Sequence, residues 1–171
     1  AFDQGQKFDR GRFLYSNVGY LLLVETLEAI WGMRFSEIVA MKIVNPLRLT
    51  STRVLREASD LRILTPGYSR TWSADLADVR NIYAPEWVAH RLIASTTEDL
   101  NLFLRAVFAG HFLSATSLAL IHNPWRLEYP HDWYLPHYGL GFLGDPKSKF
   151  GSVLGHNGGG PGYLTSSYCL E

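Results

Sequence analysis

The feature that most constrains this 171-residue chain is a change of pattern near Tyr138. Before it, apolar residues recur at helical spacing. After it, short alternating runs are separated by glycine-rich turns. Residues 18–31 (VGYLLLVETLEAIW) are rich in helix formers, and Gly32 supplies a stop. A second helix is expected over residues 35–43, opened by Ser36 and closed before Asn45-Pro46. Residues 47–87 read as irregular, with turn signals at Pro66-Gly67 and Ala84-Pro85. Ser95-Thr96-Thr97-Glu98 has the form of a capping box. Leu100, Phe103, Leu104, Val107 and Phe108 then make a helical stripe that Gly110 ends. A shorter helix over residues 117–122 stops at Pro124. Residues 125–138 form an aromatic stretch too rich in proline for regular structure. Three short strands are expected at residues 138–142, 152–156 and 163–170. Helices first and antiparallel strands last predict an α+β fold, with residues 1–137 mostly helical and residues 138–171 forming the strands of the same domain.

Composition narrows the function classes. Hydrophobic residues make up 47% and charged ones 19%, which is globular. Sixteen Lys plus Arg balance sixteen Asp plus Glu, so nothing calls for nucleic acid or an anionic membrane as partner. The longest apolar run, residues 18–24, is too short to span a bilayer. Cys169 is the only cysteine, which excludes an internal disulfide and a cysteine-based zinc site. There is no HExxH, no Walker loop and no GxSxG, and GxGxxG fails at Tyr163. His90, His111, His122, His131 and His137 lack metal-ligand spacing. No metal and no cofactor are expected.

Two stretches carry chemistry. In Tyr15-Ser16-Asn17, residues two apart share a face if the segment is extended, which sets a phenol beside an amide. Such a pair can take a proton from a hydroxyl and hold a substrate amide. A free tyrosine titrates near pH ~10, so acting near neutrality needs its pKa lowered by about three units, or ~4 kcal/mol. One ammonium within ~4 Å gives that effect at an effective dielectric of ~20. The same three residues also read as a plain helix entry capped by Ser16 or Asn17. The second stretch is GHNGGGPGY, residues 155–163. In a strand, Gly158 and Gly159 let a peptide-like substrate lie against the backbone, with the Gly159 N–H available to an oxyanion and His156 at the entrance. A hairpin whose glycines only satisfy turn geometry is the alternative.

Taken in order, these pieces resemble the serine β-lactamase and penicillin-binding-protein family, in its class C-like, DD-peptidase and esterase branch. FLYSNVGYLLLVETLEAIWGMRF is similar to that family's Tyr-x-Asn segment and following helix. NPLRLTST is similar to its PLGM-x-x-T stretch, with Arg48 for the usual glycine. LIASTTEDLNLFLRAVFAGHFLS is similar to its G-x-x-S-T-x-x-D-L helix. YGLGF and GHNGGGPGY resemble the strand pair bearing the third motif, here His-x-Gly in place of Lys-Thr-Gly.

The resemblance implies a serine nucleophile and an acyl-enzyme, without metal or organic cofactor, acting on D-amino-acid peptides, β-lactams or small esters. It implies proton transfer at Tyr15 and a third-motif role for His156, with Tyr15 and His156 facing one crevice. It implies substrate contacts from Asn17, Gly158 and Gly159. It also implies a periplasmic or secreted location.

The departure is the nucleophile. That family carries Ser-x-x-Lys upstream of Tyr-x-Asn, and no Ser-x-x-Lys occurs in these 171 residues. The chain is therefore expected to be a piece lacking N-terminal strands and a C-terminal helix, inactive alone, and prone to oligomerise or to pair with a complementing N-terminal segment. A non-catalytic peptide-binding module of the same fold, and a purely structural domain, are the alternatives. The aromatic residues Trp125, Tyr129, Trp133, Tyr134 and Tyr138 read either as a wall for an apolar acyl group or as packing.

Overall fold

A computed structural model describes residues 13–85, 88, 91–127 and 136–170. The chain divides between Asp99 and Leu100 into two compact units.

In the first unit, α1 (Asn17–Trp31) starts where Ser16 caps it, its hydroxyl accepting from the Gly19 N–H at 3.1 Å. It stops at Gly32, which takes the left-handed conformation (φ 61°) and donates its N–H to the Glu28 carbonyl. The next helix differs from expectation at both ends. It opens at Arg34, whose N–H is held by the Glu37 carboxylate at 2.8 Å, and not at Ser36. It also runs through Asn45-Pro46. After α2 (Phe35–Val39) comes a π turn (Ala40–Val44), and then a last helical turn, α3 (Asn45–Leu47). The π turn interrupts the regular ladder, so Pro46 falls in the first turn of a new helix, where a missing N–H costs nothing. Arg48 then turns left-handed (φ 53°).

Residues expected to be irregular contain short ordered pieces. β1 (Arg53–Leu55) pairs antiparallel with β4 (Leu92–Ala94), and β2 (Tyr68–Ser69) pairs with β3 (Ala77–Asp78). Two 3-10 turns, Ala58–Ile63 and Val79–Asn81, lie among them. Trp87, the expected end of that region, lies outside the described residues. Val24, Ile38, Val39, Leu49, Val54, Leu55, Leu61 and Val79 are buried in this unit.

The capping box is displaced by one residue. Helix α4 (Thr97–Phe108) is capped by Thr96, whose hydroxyl accepts from the Asp99 N–H, because the Ser95 hydroxyl is engaged with Thr52 at 2.7 Å.

In the second unit the α4 stripe buries Leu104 and Val107 as its spacing predicts. Val107, Ile121 and Leu154 form the core, with Phe103, Phe108, Phe112, Leu113 and Phe142 packed on it. α5 (Ala115–His122) is capped by Ser114. The sheet is larger than the three strands expected. Five strands run in the order β5 (Trp125–Arg126), β6 (His137–Gly139), β7 (Phe142–Ser148), β8 (Gly151–Gly160) and β9 (Tyr163–Leu170), with antiparallel neighbours. The expected strand over residues 138–142 is a hairpin: Leu140 and Gly141 both take positive φ and form the two-residue turn between β6 and β7. The aromatic stretch is not wholly irregular either, since Trp125 and Arg126 pair with Tyr138 and His137. Its Tyr129, Trp133 and Tyr134 lie outside the described residues. The α+β class stands.

Candidate active site

Each unit carries part of the candidate machinery. In the first, Tyr15 precedes the α1 cap and is 44% exposed. Its ring lies 5.7 Å from that of Tyr20. Partial burial, and then the neighbouring Tyr20, push the Tyr15 phenol above its ordinary value, opposite to what a base near neutrality needs. Asn17 is exposed and already helical. Backbone extension therefore ends at Ser16 (φ −144°, ψ 112°), and the two-residue repeat argued for Tyr15 and Asn17 does not reach Asn17. Ser16 serves as the cap.

In the second unit the glycines resolve differently from one another. Gly158, Gly159 and Gly160 lie in β8, paired with Thr165, Leu164 and Tyr163 of β9. The turn itself is made by Pro161 and Gly162, the latter at φ 76°. Turn geometry thus accounts for Gly162 and not for the three before it. β7 pairs with β8 only from Gly151 to Gly155, so among the described residues no strand pairs with His156 to Gly160 on the side away from β9. A side chain at Gly144 or Gly155 would strike the backbone of the adjoining strand. At Gly159 its Cβ would only touch Leu164 at 3.7 Å, and at Gly160 it would meet nothing within 4 Å. At Gly158 it would strike the Thr165 hydroxyl, so the open space lies over Gly159 and Gly160.

His156 sits where that edge begins and is half-buried. Its Nε2 lies 3.2 Å from the hydroxyl of Tyr138, with the rings edge-on at 87°, and its Nδ1 bonds the Asn157 carbonyl. The Asn157 side chain accepts from the Ser166 hydroxyl at 3.0 Å. The sequence offers Tyr138 as the start of a strand and as an aromatic that lines a pocket or packs, without a partner for its hydroxyl. It is 7% exposed and reaches His156 because β6 and β8 flank β7. That link depends on the hairpin at Leu140-Gly141, which a reading of one continuous strand conceals.

Within the first unit, the NPLRLTST stretch meets the first turn of α4. Asp99 Oδ2 accepts from the Ser51 N–H and the Thr52 hydroxyl, both at 2.8 Å. Among the described residues, no cluster of three metal-ligating side chains occurs, and no helix is long and apolar enough to cross a membrane.

Known proteins share this fold over most of this sequence. The chain is 28% identical over 164 residues to penicillin-binding protein 4* of Bacillus subtilis (strain 168), covering 90% of this chain and 36% of that protein. A D-stereospecific amidohydrolase from Streptomyces sp. superposes with a TM-score of 0.75 at 28% identity, over 90% of this chain and 45% of its own. A D-amino acid amidase from Ochrobactrum anthropi SV3, solved in complex with L-phenylalanine amide, superposes with a TM-score of 0.72 at 25% identity, over 95% and 48%. The chain thus spans less than half the length of each of these three proteins. A family model described as Beta-lactamase matches residues 5–168, and the chain belongs to that family.

Proposed function

We propose that this chain is the Tyr-x-Asn and third-motif portion of a serine hydrolase that works through an acyl-enzyme on D-amino-acid amides or peptides. The observation that carries the reading is the edge of β8 from His156 to Gly160, which no strand pairs on the side away from β9 among the described residues and which is side-chain-free from Gly158 on, in a member of this family. A peptide-like substrate can add to such an edge by backbone hydrogen bonds. Of the two solved relatives named above, one is described as a D-stereospecific amidohydrolase and the other as a D-amino acid amidase, which supports this substrate class.

In this mechanism a serine supplied by a Ser-x-x-Lys segment outside residues 1–171 attacks the carbonyl, and water later releases the acyl group. Tyr15 handles the proton. Because its phenol is pushed up within this chain, the lysine of Ser-x-x-Lys has to supply the lowering charge. Asn17 holds the substrate amide. The Gly159 N–H provides an oxyanion donor worth about 3 kcal/mol, and Gly158, packed under the Thr165 hydroxyl, contributes main chain to the substrate edge. His156 takes the third-motif position as a polar contact. The 171-residue chain alone is inactive on this reading.

Labelling of the intact protein by a fluorophosphonate or a fluorescent penicillin tests the proposal. Covalent labelling that Tyr15→Phe slows supports it. An unlabelled intact protein that still binds D-amino-acid peptides saturably replaces it with a non-catalytic binding module.

A further inference from the structure

We infer that Tyr138 is a positioning residue which, through His156, fixes the peptide that leads into the glycine edge; its consequence for catalysis rests on the hydrolase reading above. A carbonyl oxygen only accepts, so the bond from His156 Nδ1 to the Asn157 carbonyl requires a proton on Nδ1. In the neutral ring Nε2 then carries a lone pair, and the Tyr138 hydroxyl, 3.2 Å away, donates to it. The chain of donors runs one way: Tyr138 Oη–H to Nε2, then Nδ1–H to the Asn157 oxygen. The buried phenol thereby selects one imidazole tautomer and one ring orientation, and the ring in turn orients the carbonyl of residue 157.

This matters because of what comes next. Gly158, Gly159 and Gly160 carry no side chain to restrict their backbone, so the direction of their N–H and C=O groups is set by neighbours. β9 holds one side of the segment through its ladder. Ser166 holds the Asn157 side chain, and His156 holds the Asn157 peptide. The open edge is thus aimed by a relay that starts at Tyr138. His156 acts here as a clamp with both ring nitrogens engaged.

The test uses the intact protein labelled with 15N-histidine, with the His156 signals assigned by their loss in His156→Gln. At a pH where the imidazole is neutral, the native protein should show the Nδ1–H tautomer alone. Tyr138→Phe keeps the buried ring and removes only the hydroxyl. It should give a mixture with the Nε2–H tautomer and lower kcat about three- to tenfold, the cost of one net hydrogen bond, with little change in KM. An unchanged Nδ1–H tautomer in Tyr138→Phe overturns the inference. If that variant does not fold, the native protein still decides: a scalar coupling between the Tyr138 hydroxyl proton and Nε2 supports the inference, and its absence overturns it. A tautomer shift in a protein that no fluorophosphonate labels keeps Tyr138 as the positioning residue and removes the hydrolase reading instead.

Discussion

Thr52 and Asp99, 47 positions apart, are joined by a 2.8 Å hydrogen bond, and the same carboxylate oxygen also accepts the Ser51 N–H. Asp99 is 6% exposed. The two stretches that resemble family motifs, NPLRLTST and STTEDL, are therefore one structural joint, reinforced by the pairing of β1 with β4. Asp99→Ala leaves a partly buried amide and a hydroxyl without their acceptor. It should destabilise the protein by about 2 kcal/mol, read by urea unfolding, with Asp99→Asn costing less because it keeps one acceptor oxygen.

Arg48 occupies a left-handed position (φ 53°) at the end of α3, a conformation that favours glycine. A Cβ there costs roughly 1 kcal/mol, and glycine avoids it. Arg48→Gly should raise the unfolding midpoint in denaturant only slightly, by a free energy of at most about 0.5 kcal/mol once the added chain entropy of glycine is subtracted.

Glycines in β8 separate into structural and open positions. Gly155→Ala would set a Cβ 2.0 Å from the Ser167 carbonyl and 2.5 Å from the Tyr168 Cα, so strand backbone must move. A loss of about 1–3 kcal/mol or outright misfolding is expected. Gly159→Ala should fold normally, since its Cβ meets only Leu164 at 3.7 Å. On the proposed hydrolase reading it should slow acylation of the intact protein about tenfold, as an obstructed oxyanion donor would. Circular dichroism separates the first effect and labelling rate the second.

The Asp78 carboxylate is held below its ordinary value, first by side-chain hydrogen bonds from Arg80, whose Nε and Nη2 lie 3.0 and 2.6 Å away. A depressed carboxylate adds stability above its unfolded value and loses it as pH falls through the folded value. Arg80→Met should move the Asp78 titration upward by NMR and weaken the acid-side loss of stability. It also removes the bond from Arg80 to the Leu64 carbonyl at 2.9 Å.

The Tyr15 phenol runs the other way. Its raised value means that stability linked to it is complete below the unfolded value near pH ~10 and fades as pH rises through the folded one. Ultraviolet titration of the 171-residue chain should place Tyr15 above an ordinary tyrosine. On the proposed hydrolase reading, in which a Ser-x-x-Lys lysine joins the site, it should fall below one in the intact protein.

Much of this was legible in local pattern. Helices α1 and α4 announce themselves through periodicity and caps, and Gly32 and Gly110 end them at left-handed positions. What stayed hidden depends on contacts far along the chain. Ser95 would cap α4, but Thr52 claims its hydroxyl. Pro46 would end a helix, but a π turn resets the ladder before it. Strands of two or three residues, such as Tyr68–Ser69, are too short for any alternation to register. Of the candidate site, the residue types were visible at Tyr15, Asn17 and His156. The partnership of His156 with Tyr138 was not, because it depends on how three strands lie side by side.

The run from Gly158 to Gly160 offers a visiting molecule peptide groups and almost nothing else. Such a surface reads the shape of a chain and is blind to the chemistry of its substituents. Discrimination among ligands has to be inscribed on flanking side chains, and those flanks are where divergence of preference can proceed without disturbing the shared rail.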